Sequence, residues 1–172
     1  MQCTVVKTQT KRFWIGGSIA TLLVMTLGFM FQERYKVAVD TQAIPCIDAR
    51  VILVDKKDIT PIKGKLVAFR APKNVTPVYP EGTLMAKILV AGPGDTVAIN
   101  VNEEILVNGV VKAQGLPHLQ IGTAENRKRF IGKKTLGANE YWVLGTHEWS
   151  FDSRYWGAIE AKSIVGRGYV VW

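Results

Sequence analysis

At 172 residues the chain is long enough for one domain with a real core, and too short for several. It carries 22 basic and 14 acidic side chains, a net charge of +8, yet no aromatic residues interleave with its basic clusters at stacking spacing, so nucleic acid is not expected as a partner. Hydrophobic content is 48%, swollen by one N-terminal run; β-branched residues dominate after residue 50, which predicts a mostly-β globular part.

The chain order begins with "FWIGGSIATLLVMTLGFMF", residues 13–31, without a charged side chain. As a helix it would be about 28 Å long, close to the hydrocarbon thickness of a bilayer. A cleaved signal peptide has a shorter apolar core and a small-residue cleavage site; "FQERYK" follows here instead. The run is therefore read as a retained anchor. Lys7, Lys11 and Arg12 precede it, and Arg34 and Lys36 follow, a bias toward a cytoplasmic N-terminus. The expectation is a cytoplasmic segment 1–12, a transmembrane anchor 13–31 in the bacterial inner membrane, and a periplasmic domain 32–172. Cys3 and Cys46 would then lie on opposite sides of the bilayer and could not pair.

Residues 32–42 read as a short juxtamembrane link. "ARVILVDKK" (49–57) and "KLVAFRA" (65–71) read as strands, separated by the turn-rich "DITPIKG" (58–64). "PKNVTPVYPEG" (72–82) carries three prolines and excludes regular structure. "TLMAKILVA" (83–91) is a third apolar strand, "GPGD" (92–95) a tight turn, and "TVAINV" (96–101) alternates like a half-buried strand. "EILVNGVVK" (104–112) predicts a hairpin, because Asn108-Gly109 is a favoured two-residue turn. Residues 113–140 are weakly patterned, and about 100–140 are read as an inserted hairpin or lid. They hold the basic cluster Arg127, Lys128, Arg129, Lys133 and Lys134, either a solvated loop or a contact with anionic headgroups or an acidic partner. "YWVLG" (141–145) and "SIVGRGYVVW" (163–172) are late strands. His118 and His147 stand alone, and no CxxC or His/Cys spacing suggests a metal.

Three stretches carry chemistry: "TQAIPC" (41–46), "MAKILVAGPGD" (85–95) and "GTHEWSFDSRYWG" (145–157). In this order, behind an anchor, they resemble the type I signal peptidase family, and within it the TraF-like branch of conjugative-transfer peptidases. The most specific part is Ser150, Asp152, Ser153, Arg154 and Tyr155, matching Ser-x-Asp-Ser-Arg-Tyr. The resemblance implies a signal-peptidase-like β domain using a serine/lysine dyad, with no cofactor. A serine hydroxyl is a poor nucleophile until a base takes its proton, and a lysine is a base only when neutral, a state that apolar burial favours. Lys87, in the apolar "LMAKILVA", is the implied general base, sharing a strand face with Met85 and Leu89. Ser150 would orient Lys87. Asp152 and Arg154, two apart on an extended segment, would pair structurally. Thr41 would help form the oxyanion hole. Pro45 matches the loop's proline.

The loop motif Thr-x-Ser-x-Pro has Thr41 and Pro45, but Ala43 occupies the nucleophile position. A methyl group cannot attack a carbonyl. Cys46 lies three residues on, and relocating the nucleophile there is expected to break the lysine geometry. Because Thr41, Pro45, Lys87, Ser150, Asp152 and Arg154 all survive, the reading adopted is a serine peptidase inactivated by a serine-to-alanine replacement. A natural pseudoenzyme is the other reading of Ala43. The resemblance implies that the substrate is a secreted precursor, a pilin in conjugative type IV secretion, cut or cyclised beside the lipid bilayer. The rival is a non-catalytic membrane-tethered β module that binds pilin or secretion components.

Overall fold

The computed structural model describes residues 3–42, 45–75, 78–119 and 128–172. It divides into two units, Met1–Tyr35 and Lys36–Trp172.

The first unit is one helix, α1 (Cys3–Arg34). Its segment Lys11–Arg34 has a mean hydropathy of 1.8, long and apolar enough to cross a membrane. Two of its threonine hydroxyls are satisfied internally: Thr21 Oγ1 donates to the Gly17 carbonyl at 2.9 Å, and Thr26 Oγ1 to the Leu22 carbonyl at 2.8 Å. A hydroxyl bonded one turn back makes little demand on its surroundings, which suits an apolar medium. The helix runs three residues past the expected anchor.

The second unit is mostly β. A seven-stranded sheet has the order β1-β2-β11-β3-β4-β9-β10. Its strands are β1 (Tyr35–Val39), β2 (Val51–Asp55), β3 (Leu66–Arg70), β4 (Leu84–Ala91), β9 (Glu140–Leu144), β10 (Ile159–Glu160) and β11 (Ile164–Val170). Pairing is antiparallel from β2 through β11, β3, β4 and β9 to β10. The expected link 32–42 is thus replaced by the end of α1 and an edge strand, because "YKVAV" has the β-branched, short-period character that a neighbouring strand can pair. The chain order of β2, β3, β4, β9 and β11 agrees with the strands read from apolar runs.

A four-stranded antiparallel sheet, β7-β6-β5-β8, occupies residues 96–135. It contains β5 (Thr96–Ile99), β6 (Glu104–Val107), β7 (Val110–Gln114) and β8 (Gly132–Thr135). The β6–β7 turn has Asn108 at φ 51° and Gly109 at φ 82°, the left-handed pair that a tight hairpin of this kind needs. Strand β8 was unreadable from sequence: "GKKT" is exposed throughout and shows no apolar alternation. Arg127 of the basic cluster lies outside the described residues. Lys128, Arg129, Lys133 and Lys134 are exposed, and Lys134 Nζ is ion-paired to Glu140 Oε1 at 2.6 Å.

The two sheets are joined through Asp95, at the end of the "GPGD" turn. Its carboxylate takes Lys63 Nζ at 2.6 Å, the Gly92 N–H at 2.8 Å and Asn108 Nδ2 at 2.8 Å. Lys63 first, then the Gly92 amide and Asn108, outweigh burial and bring the Asp95 carboxyl down to about 2. One core region packs Val67, Phe69, Met85, Leu89, Val143 and Trp156 around the middle of the large sheet. A second joins Val97, Ile99, Ile105 and Val107 to Trp142 and Leu144.

Candidate active site

Strand β4 alternates strictly between half-buried and buried positions, so Met85, Lys87, Leu89 and Ala91 share the inward face. Lys87 is only 1% exposed. Burying an amine among apolar neighbours demands a polar partner. Ser150, equally buried, supplies it: Lys87 Nζ donates to Ser150 Oγ at 2.9 Å. Among the described residues no carboxylate lies within ion-pairing distance of this nitrogen.

Ser150 comes from the loop after β9, and that loop is held from below by a buried ion pair. Arg154 Nε donates to Asp152 Oδ1 at 2.8 Å and Nη2 to Oδ2 at 2.9 Å, a two-pronged contact. Nη2 also reaches the Ser150 carbonyl at 2.9 Å, and Nη1 the Gly115 carbonyl at 3.1 Å. Asp152 Oδ2 accepts the Gly145 N–H at 2.9 Å. Burial works against the Arg154 charge, but Asp152 overrides it and the guanidinium is raised above its usual range. The pairing of Asp152 with Arg154 matches the expectation; the backbone does not. Asp152 is itself extended but Arg154 is not: Asp152 caps a single helical turn, α2 (Ser153–Trp156), accepting the Arg154 N–H at 3.2 Å. A side chain that can cap its own turn competes successfully with strand pairing there.

Gly145 is a site residue that motif matching did not mark as functional. A Cβ at this position would fall on Ser150 Oγ and on the Cys46 carbonyl oxygen. Only glycine lets the nucleophile-loop backbone and the lysine's hydroxyl partner approach this closely. A glycine directly after the apolar run "YWVL" was the available signal.

Over Lys87 lies a cleft of about 170 Å³, lined by residues 38–42, Cys46, Ile47, Ile52, Tyr79 and 83–87. Thr41 is on its wall and exposed; Pro45 is half-buried; Ala43 lies outside the described residues. Cys46, where a relocated nucleophile was expected to break the lysine geometry, lines the same cleft as Lys87. Gln42 is tied from several sides. Its N–H donates to Asp40 Oδ1 at 2.9 Å, its carbonyl accepts Arg50 Nη1, and its amide donates to Tyr79 OH at 2.9 Å. The Tyr79 hydroxyl is raised above its usual range, by burial first and then by the neighbouring Cys46, against the lowering effect of the Gln42 bond. Among the described residues no cluster of three His, Cys, Asp or Glu side chains could hold a metal ion.

The site thus sets a buried amine with a hydroxyl partner against a cleft, beside a buried ion pair. The family model for signal peptidase, peptidase S26, matches residues 11–172 of the chain. The chain belongs to this family. Signal peptidase I of Pseudomonas aeruginosa is 26% identical over 162 residues, 75% of this chain and 54% of that protein, so the chain spans about half of that relative's length. Signal peptidase I V of Bacillus subtilis is 26% identical over 169 residues, covering 91% of this chain and 95% of that protein. A solved signal peptidase I from Enterococcus faecalis V583 aligns with a TM-score of 0.40 at 25% identity, over 66% of this chain and 97% of that one. In this peptidase family the chain combines a mostly-β unit with an N-terminal helix apolar enough to anchor it.

Proposed function

We propose that this signal peptidase family member is a membrane-tethered endopeptidase that processes an exported precursor beside the bilayer, with a pilin of a conjugative system as the substrate. Residues 13–31 anchor it in the inner membrane, residues 32–172 work in the periplasm, and about 100–140 serve as an inserted hairpin or lid. Lys87 is the general base, oriented by Ser150; Thr41 contributes to the oxyanion hole; Asp152 and Arg154 brace the floor. The observation that carries this reading is the Lys87 Nζ–Ser150 Oγ bond at 2.9 Å, buried under an open cleft. A lysine kept in apolar surroundings with, among the described residues, a hydroxyl as its hydrogen-bond partner is costly to the fold, and proton transfer is the function that justifies it.

Serine chemistry at position 43 is closed to this chain, because Ala43 has no hydroxyl. Ala43→Ser supplies one. The test is a precursor-processing assay with mass spectrometry of the product. Ala43→Ser protein is expected to process a pilin-like precursor with a small residue before the cut; Lys87→Ala in that background should abolish processing, while Lys65→Ala on the neighbouring exposed edge of β3 should not. Processing that survived Lys87→Ala would overturn the assignment. A product one water lighter than the linear form identifies cyclisation, since an amine has then intercepted the acyl-enzyme. Ala43 also favours a second reading, a non-catalytic β module that binds the same precursor; it predicts capture without processing in both proteins.

A further inference from the structure

Ala43 offers no attacking atom, yet the cleft over Lys87 contains one. Cys46 is a free, half-buried thiol on its wall. The backbone around Cys46 is docked on the loop that holds the lysine's partner. The Thr146 N–H donates to the Cys46 carbonyl at 3.0 Å, and the Asp48 N–H donates to Thr146 Oγ1 at 3.0 Å. Gly145 then brings that same carbonyl and Ser150 Oγ to one small space, which a single methyl would fill. Ser150 Oγ is the atom bonded to Lys87 Nζ. The backbone of Cys46 is thereby tied, through Gly145 and Ser150, to the loop that holds the amine's partner, and Cys46 and Lys87 line one cleft. On its outer side the sulfur meets Gln42 Oε1 at 3.7 Å, and Gln42 is held by Tyr79, so the loop bearing the thiol is braced on both flanks.

We infer that Cys46 is the nucleophile of this chain and Lys87 its base. The inference rests on the peptidase reading above and changes the atom that attacks. A thiol needs less activation than a hydroxyl, so a base that serves serine can serve cysteine. The step balances. The Lys87 amine takes the Cys46 thiol proton as sulfur bonds to the scissile carbonyl carbon. The ammonium then gives that proton to the leaving amine as the C–N bond breaks, and a thioester remains. Water attacks the thioester carbon, passing a proton to Lys87. The C–S bond breaks, the acid product leaves, and Lys87 returns the proton to sulfur.

The experiment uses the full chain in detergent with Cys3→Ala throughout, so that one thiol remains. Iodoacetamide alkylation of Cys46 at pH 7, followed by intact-mass spectrometry, should slow at least tenfold in Lys87→Ala and stay unchanged in Lys65→Ala. Equal rates in all three proteins would overturn the pairing. In the processing assay the chain with Ala43 should cut the precursor; Cys46→Ala should abolish cutting, and Cys46→Ser should keep less than a tenth of it. If the chain with Ala43 is inert while Ala43→Ser cuts, Cys46 is not the nucleophile and the serine-peptidase reading stands alone. If no protein cuts and alkylation ignores Lys87, both readings fall. Where no protein cuts the precursor offered, the alkylation comparison decides by itself.

Discussion

Two buried basic side chains flank Ser150 and are held in opposite ways. Arg154, 3% exposed, has a carboxylate on two of its nitrogens and two carbonyls besides. Lys87, 1% exposed, has the Ser150 hydroxyl. Ser150 serves both, giving its hydroxyl oxygen to the lysine and its carbonyl to the arginine. A carboxylate makes a charge permanent, whereas a hydroxyl only aims a nitrogen. On the proposed function, Arg154 is therefore scaffold and Lys87 is chemistry, although both lie under the same loop.

The comparison predicts mutations of unequal cost. Arg154→Met should destabilise most, by about 3–5 kcal/mol, because it leaves the fully buried Asp152 carboxylate without its partner. Urea unfolding followed by circular dichroism measures this; a loss below about 1 kcal/mol would show that the pair is not the brace described here. Gly145→Ala comes next. Its methyl must displace Ser150 or the Cys46 backbone, at about 1–3 kcal/mol of overpacking. Its sharper signature is functional: the Lys87 dependence of processing and of Cys46 alkylation should fade while the sheets remain folded.

Lys87→Met should reverse the sign. The polar end of the side chain disappears and an apolar one of similar length fills the β4 face, so stability should hold or rise by up to about 2 kcal/mol, while processing is lost. A protein that lost both stability and processing would be using Lys87 as scaffold, and the contrast with Arg154 would collapse. The smallest effect tests a third buried charge, Asp95, away from the cleft. Its carboxyl lies at about 2 in the folded chain against an ordinary 3.8. The unfolded chain takes up this proton first, so the contribution is present above pH 3.8 and is lost as the pH falls toward 2. Asp95→Asn should flatten the acid limb of the stability profile in that window and leave the slope near pH 7 untouched.

Legibility differed along the same line. Lys87 was readable because it is the one charged side chain in the apolar run "LMAKILVA", and the structure places it on the buried face of that strand. The hairpin at Asn108-Gly109 was readable because its turn needs two left-handed residues and the sequence supplies them. The helical turn after Asp152 was not, since four residues are too few for a helical period. Nor was β8, which pairs through its backbone while all its side chains face solvent. Gly145 and Cys46 each looked like ordinary loop residues until the fold brought them to one point.

By itself, then, the sequence determined the apolar span, the mostly-β character, the hairpin turn and the strand that buries position 87. These follow from backbone preference and from the distribution of apolar side chains within a few residues, which act before any distant contact forms. The tertiary structure decided which groups meet the amine. Ser150 lies 63 residues from Lys87 in the chain, and Cys46 joins the lining of the same cleft from another loop. No local period encodes such meetings. They depend on how loops of different lengths dock on the finished sheet, where one missing methyl at Gly145 lets two of those loops share a space that any other residue would keep apart.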